Sequence, residues 1–279
     1  MNNISKIVLG TVQFGCQYGI NSAGRPNNKE VRNILQKAAE IGIGRFDTSS
    51  AYGDSEMLLG ECMPNGAQFQ IISKYPKSDI SVREMFKSSL ERLKVKKLYG
   101  YLLHHFEVYR NNPKLWDEFS ALRIEGLVEK IGFSLYTTDE LELLLQNDVP
   151  FNLLQVPYNI FDRQFEPYFP LLKERGVEVH VRSTFLQGLF FMNREVLPDK
   201  LQPLKPYLRQ LDEYAQSMNM SVAEVALNHN LQNDLISGVL IGVDNQSQLI
   251  TNQQSIRVER VTLDIQVKEK QLLNPVNWK

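Results

Sequence analysis

The chain has 279 residues, 43% of them hydrophobic and 23% charged, an ordinary balance for a globular protein. Lys plus Arg number 31 and Asp plus Glu 32, a formal net charge of −1, so neither a nucleic acid nor an anionic membrane surface meets the basic excess it would need. No apolar run approaches the ~20 residues of a bilayer-spanning helix, the start MNNISKIVLG lacks a secretory apolar stretch, and two cysteines make neither a disulfide scaffold nor, by themselves, a zinc site. A cytoplasmic protein without a bound metal is expected.

Along the chain, short β-branched runs alternate with longer amphipathic ones. Strands are predicted at residues 6–9, 44–47, 70–73, 98–103, 130–133, 153–155, 178–182 and 238–241, most of them bounded by Gly, Asp or Pro as buried parallel strands are. After the first, residues 31–41 put Val31, Ile34, Leu35, Ala38 and Ala39 on one helical face. Further on, Ser81-Val82-Arg83-Glu84, Thr137-Thr138-Asp139-Glu140 and Ser221-Val222-Ala223-Glu224 read as capping boxes that open helices. Gly42, Gly126 and Gly176 stand where helices should stop. No linker, charge block or low-complexity tract divides the chain, and the Pro-richer stretch 197–207 is too short to separate two cores, so residues 1–279 are expected to form one domain. Eight strand–helix units in this length predict a (β/α)8 TIM barrel. A doubly wound sheet would want Gly-x-Gly-x-x-Gly after the first strand, and Leu9-Gly10-Thr11-Val12-Gln13-Phe14-Gly15 does not match.

In such a barrel, chemistry sits at the C-terminal ends of the strands. The second strand ends in Phe46-Asp47-Thr48-Ser49-Ser50-Ala51-Tyr52-Gly53, the third in Ser73-Lys74-Tyr75 and the fourth in Leu102-Leu103-His104-His105. Singly, these are a turn aspartate, a surface lysine, a packed tyrosine and a structural histidine. Together on consecutive strand ends they suit proton transfer to an oxygen that gains negative charge, as in carbonyl reduction. A buried ammonium is expected to lower the tyrosine pKa, a carboxylate to hold that ammonium, and a histidine to bond the substrate oxygen.

These motifs resemble those of the aldo-keto reductases. Leu9-Gly10-Thr11, the Asp47–Gly53 segment with Ser55-Glu56, Ile72-Ser73-Lys74, Tyr101-Leu102-Leu103-His104, Ile131-Gly132-Phe133-Ser134 and Gln155-Val156-Pro157-Tyr158-Asn159 occur in family order between about residues 6 and 252. The resemblance implies a barrel that uses NADPH or NADH to reduce an aldehyde or ketone, with Tyr52 as proton donor, Lys74 lowering its pKa, Asp47 holding Lys74 and His104 orienting the carbonyl. It implies that Ser134 and Gln155 bond the nicotinamide carboxamide, that Tyr158 stacks on the ring, and that Ser183 contacts the pyrophosphate, with Thr11, Phe185, Gly188, Gly242, Asp244, Gln248 and Asn252 completing the cofactor site. The stretch Val181-Arg182-Ser183-Thr184-Phe185-Leu186-Gln187-Gly188-Leu189-Phe190-Phe191 resembles reductase-like proteins encoded with bacterial surface-sugar pathways, which implies a sugar or nucleotide-sugar carbonyl. Leu189-Phe190-Phe191 reads either as packing or as pocket lining.

The chain departs from the pattern in three places. The β-hairpin that precedes the first strand in most relatives has no room in residues 1–5. Leu135 stands where many relatives carry Asn. Asp244 stands where many carry Ser or a basic residue near the adenosine 2′-phosphate, and a carboxylate there repels a phosphate but suits a free ribose hydroxyl, so NADH is expected to be tolerated or preferred. Rival readings are a nicotinamide-binding regulatory barrel without turnover and a cofactor-free epimerase or lyase. A metal centre is disfavoured because adjacent His104 and His105 should diverge to opposite faces of a strand, while His180, His229, Cys16 and Cys62 show no ligand spacing. A small carbonyl compound is the expected partner, and the chain is taken as a monomer.

Overall fold

Eight parallel strands close into a barrel in the order β1 to β8, each hydrogen-bonded to its sequence neighbours and β8 to β1. The computed structural model describes residues 3–20 and 24–278. The strands are β1 Ile7–Gly10, β2 Arg45–Asp47, β3 Gln70–Tyr75, β4 Leu98–Leu103, β5 Val128–Ser134, β6 Leu153–Pro157, β7 Glu178–Arg182 and β8 Gly238–Gly242. The helices are α1 Val12–Gly15, α2 Asn28–Glu40, α3 Ser55–Cys62, α4 Val82–Leu93, α5 Phe106–Asn111, α6 Trp116–Ile124, α7 Thr138–Gln146, α8 Phe169–Glu174, α9 Lys205–Ser217, α10 Val222–Leu231 and α11 Gln246–Gln254. Every predicted strand is present with its ends moved by no more than two residues. Among the described residues, no helix is long and apolar enough to cross a membrane.

Local chemistry explains the helix starts. Helix α2 begins three residues before the predicted apolar face because the Asn27 side chain caps it, accepting from the Glu30 N–H. At α10 the capping box is reciprocal: Ser221 accepts from the Glu224 N–H and Glu224 accepts from the Ser221 N–H. Thr137 and Glu140 form the same box at α7. At α4 only half forms, because the Glu84 carboxylate takes the Ser81 hydroxyl in place of its N–H.

Two apolar layers hold the barrel. The larger lies between strands and helices and gathers residues such as Leu9, Phe46, Tyr101, Phe133 and Val156 with the inner faces of α2, α4, α6 and α7. A second packs Leu186, Leu189, Phe190, Leu197, Leu201 and Leu204 against Leu208, Leu211 and the tail residues Ile265, Val267, Leu272 and Leu273. The Pro-rich stretch is thus a packed segment, and Leu189 and Phe190 are packing residues. Ile72, Leu102 and Leu153 meet separately inside the barrel.

Strand β7 carries a polar column. Val179 and Val181 join the outer layer, so Glu178, His180 and Arg182 share the opposite, inner face from the floor of the barrel to its mouth. At the floor, Tyr99 Oη donates to Glu178, Lys130 Nζ lies 3.2 Å from the same carboxylate, and His180 Nε2 lies 3.6 Å from it. Arg45 Nη1 reaches the Ser237 carbonyl and Arg45 Nη2 the Ser5 carbonyl. The expected lack of an N-terminal hairpin falls partly on Met1 and Asn2, outside the described residues; the described residues ahead of β1, Asn3–Lys6, form one 3-10 turn.

The floor gives a pH prediction. Burial raises the Glu178 pKa, but hydrogen bonds from His180 and Tyr99 and the Lys130 charge outweigh it and hold the carboxyl at about 2. A depressed folded value means stability that is present above the ordinary carboxylate pKa of 4.5 and lost as pH falls from there towards about 2. Glu178→Gln is expected to cost ~2 kcal/mol at pH 7, the scale of a lost hydrogen bond to a charged group, and thermal denaturation from pH 7 to pH 3 should show the gap to wild type shrinking. An undiminished gap at acid pH would overturn this account.

Candidate active site

The turn that follows β2 is pressed against the end of α1. A Cβ on Gly15 would lie 1.7 Å from the Tyr52 carbonyl oxygen, and one on Gly53, whose φ is +53°, would lie 2.6 Å from the Gly15 carbonyl oxygen. Below it, a hydroxyl cluster locks β1 to β2: Thr11 Oγ1 lies 2.7 Å from Ser55 Oγ and 3.1 Å from the Asp47 carbonyl oxygen. The buried Glu56 of α3 accepts from Ser73, next to Lys74, and from Arg92 of α4. The loop bearing Tyr52 and the strand bearing Lys74 are therefore fastened to one carboxylate.

The structure brings together the four residues from the strand ends. Lys74 is fully buried; its Nζ is ion-paired with Asp47 Oδ1, donates to the Thr48 carbonyl at 2.9 Å and reaches Tyr52 Oη at 3.5 Å. The second Asp47 oxygen accepts from Gln155 Nε2 at 2.7 Å. His104 Nδ1 lies 3.0 Å from Ser49 Oγ, and its ring meets the Tyr52 ring edge-on at 5.5 Å.

Burial sets the protonation states. It lowers the Lys74 pKa, against the pull of the Asp47 charge. It also pushes Tyr52 well above its ordinary value, with the Asp47 charge adding to the rise. The net direction is opposite to the lowering expected from the sequence: desolvation of the phenol outweighs whatever the paired Lys74 ammonium contributes. His104 is driven down to about 2, first by burial and then by the Lys74 charge, so it is a neutral imidazole. The expected divergence of His104 and His105 is corrected too: β4 ends at Leu103, and the two rings stack at 4.7 Å.

A cavity of about 660 Å³ opens beside Tyr52 at the mouth of the barrel, within the usual size range of small-molecule and cofactor sites. Its lining includes Thr11, Gln155, Ser183, Phe185, Gly188, Gly242, Asp244, Gln248 and Asn252, nine residues expected from the sequence. Of the four catalytic candidates Asp47 and Tyr52 line it, whereas Lys74 and His104 lie behind the wall, and two of the expected cofactor residues are also absent from the lining. Ser134 pairs with Gln155 in the β5–β6 register and is almost fully buried beside the cavity. Tyr158 is turned outwards: its ring stacks on His229 at 5.4 Å, meets Phe169 at 5.2 Å, and its hydroxyl donates to Glu166. The expectation that Tyr158 stacks on a nicotinamide ring is corrected, because it continues the outward series of Leu154 and Val156 while Gln155 points in.

Other lining residues were not expected. Gln13 approaches Gly242 so closely that a Cβ there would lie 2.2 Å from its amide nitrogen, and Gln13 Oε1 is buried without a partner. Tyr18 and Gln187 also line the cavity, and the Gln187 side-chain amide bonds the Tyr18 hydroxyl at 3.0 Å across it. Ser183, Leu186, Gln187 and Gly188 have φ values of +65°, +45°, +53° and +92°; three of them carry side chains in a conformation that favours glycine. Around α11, Asn245 caps Gln248 N, and Glu30 of α2 accepts from Gln246 N at 2.6 Å. A glycine-lined cavity with an orphaned buried acceptor, ending at a helix N-terminus, fits an extended dinucleotide.

Comparison with known proteins places the chain in a family. An uncharacterised oxidoreductase of Bacillus subtilis, YqkF, is 24% identical, the match covering 92% of this chain and 90% of that one. L-galactose dehydrogenase of Arabidopsis thaliana is 26% identical, with 87% of this chain and 83% of that one covered. L-glyceraldehyde 3-phosphate reductase of Escherichia coli K12 is 27% identical, over 81% and 78%. The holo form of aldo-keto reductase AKR11C1 from Bacillus halodurans shares the fold, with a TM-score of 0.74 at 22% identity over 96% of this chain and 90% of that one. The model of the Aldo/keto reductase family matches residues 6–269, and with that match the chain belongs to the aldo/keto reductases, NAD(P)H-dependent enzymes that reduce carbonyl compounds.

Proposed function

We propose that Tyr52, Lys74, Asp47 and His104 reduce the carbonyl of a small hydroxylated aldehyde or ketone. The observation that carries this reading is the Tyr52 hydroxyl at the cavity wall, 3.5 Å from a lysine that is itself buried and paired. Bound nicotinamide supplies a hydride to the carbonyl carbon. As the C=O π pair moves onto oxygen, Tyr52 donates its proton there, and the raised pKa keeps the phenol in the protonated form this needs. The Lys74 ammonium stabilises the phenolate left behind, and Asp47 keeps that ammonium charged and in place. With Ser49 Oγ, which accepts from Ala51 N, donating to His104 Nδ1, the imidazole proton sits on Nε2, the tautomer this reading assigns for donation to the substrate oxygen. Gln155 steadies Asp47 from the opposite side to Lys74. The sugar substrates in the names of L-galactose dehydrogenase and L-glyceraldehyde 3-phosphate reductase support a polyhydroxylated substrate, in line with the sugar carbonyl implied by the resemblance. Titrating the protein with NADPH and with NADH, then assaying a panel of aldehydes, tests the reading; failure to bind either nucleotide would sink it.

The same reading favours NADH. Asp244 lines the cavity, and the first turn of α11 is already served by Glu30 and by the Asn245 side chain. Two carboxylates at this end disfavour a 2′-phosphate. Asp244→Arg is expected to shift the NADPH/NADH preference, measured as the ratio of dissociation constants, at least tenfold towards NADPH. A strong NADPH preference in the wild type would overturn the assignment.

A further inference from the structure

Arg182 ends the inner column of β7 at the barrel mouth. Among the described residues it is the only basic residue lining the cavity. Its guanidinium lies over the Tyr136 ring, 4.1 Å from the centroid, and Nη2 donates to the Leu135 carbonyl at 3.1 Å. Among the described residues its side chain makes no other hydrogen bond and pairs with no carboxylate, and most of its five N–H donors are unspent. An arginine held flat on an aromatic ring presents its fork at little further entropy cost, which suits it to bidentate binding of an oxyanion.

Direction separates two uses for that charge. The residues expected along the pyrophosphate and adenosine, Ser183, Gly188, Gly242, Gln248 and Asn252, lie towards β8 and α11. The Arg182 side chain leans the other way, across β6 to the loop after β5. Its charge is felt at Tyr52, Lys74 and His104, the reacting end of the cavity, as well as at Tyr18 and Asp162. There the Lys74 and Asp47 charges pair and His104 is neutral; the buried Asp162 feels the Arg182 charge without reaching ion-pair distance, so Arg182 is the basic side chain of the cavity that holds no ion pair among the described residues.

We propose that Arg182 binds an acidic group, a carboxylate or a phosphate, carried by the carbonyl substrate. This rests on the reductase reading, and it narrows the substrate class to anionic aldehydes and ketones. Arg182 is a specificity-determining residue here and takes no part in proton transfer.

The test pairs acidic and neutral substrates: succinic semialdehyde against butanal for the carboxylate, glyceraldehyde 3-phosphate against glyceraldehyde for the phosphate. Wild type should favour the acidic member of one pair at least tenfold in kcat/KM, which also tells carboxylate from phosphate. Arg182→Gln should collapse that ratio at least tenfold, mainly through KM, and Arg182→Lys should restore part of it. Equal use of both members by wild type, a parallel loss on both in Arg182→Gln, or a main effect on NADH or NADPH affinity would overturn the proposal. Calorimetric titration with succinate and with inorganic phosphate keeps the two readings apart. If no carbonyl is turned over, the reductase reading fails; anion binding that disappears in Arg182→Gln would still support this role, and absence of anion binding to wild type would remove it.

Discussion

Tyr52→Phe is expected to lower kcat by roughly 10²–10⁴-fold, the range for loss of a positioned general acid, while the nucleotide dissociation constant changes less than threefold. The substitution removes one oxygen from the cavity wall and leaves the ring, its edge-on contact with His104 and the cation–π approach of Lys74, 5.1 Å from the ring centroid. Nothing that shapes the cavity is lost, so binding and chemistry should separate cleanly. Because burial and the Asp47 charge raise the Tyr52 pKa, the wild-type rate should hold through neutral pH, with no loss from early phenol ionisation. A residual rate within tenfold of wild type would show that another group delivers the proton.

Lys74→Met is expected to damage stability as well as rate. It leaves the Asp47 carboxylate buried with only Gln155 as a side-chain partner, and stranding one charge of a buried pair costs about 3–5 kcal/mol. Denaturant unfolding would show the loss, and it should be smaller when Asp47→Asn is introduced with it, because the pair is then removed together. Turnover should stay low in the double variant, since no ammonium remains to receive the phenolate. If the two substitutions destabilise additively, the pair does not act as one unit.

The barrel was legible because eight short, largely apolar runs recur between longer helical stretches, and α4, α7 and α10 carry capping residues that mark their starts. The strand ends were legible because Asp47, Lys74 and His104 stand at the ends of three successive strands, and the structure puts Lys74 against Asp47 and Tyr52 and the His104 ring against the Tyr52 ring. What depends on side-chain direction was harder. Tyr158 was expected in the cavity, yet the alternation that points Gln155 inwards turns Tyr158 out. The same alternation, run from Glu178 through His180, leads to Arg182, which the strand pattern contained but whose want of an acidic partner only three dimensions reveal. The Tyr52 pKa went the other way because spacing names the neighbouring charge but does not measure the water excluded around the phenol. Glu30, far from α11 in sequence, reaches it only through helix packing.

The polar column of β7 also bears on how the barrel assembles. In β1 and β8 both faces carry apolar residues, so a one-residue slip in pairing there trades one greasy side chain for another. In β7 the same slip would drive Glu178, His180 and Arg182 into the layer beneath the helices and turn Val179 and Val181 towards the axis, stripping a carboxylate and a guanidinium of water with no partners waiting. Misregistered forms of this strand are therefore heavily penalised before the barrel closes, and the residues that serve its floor and mouth also proofread its pairing.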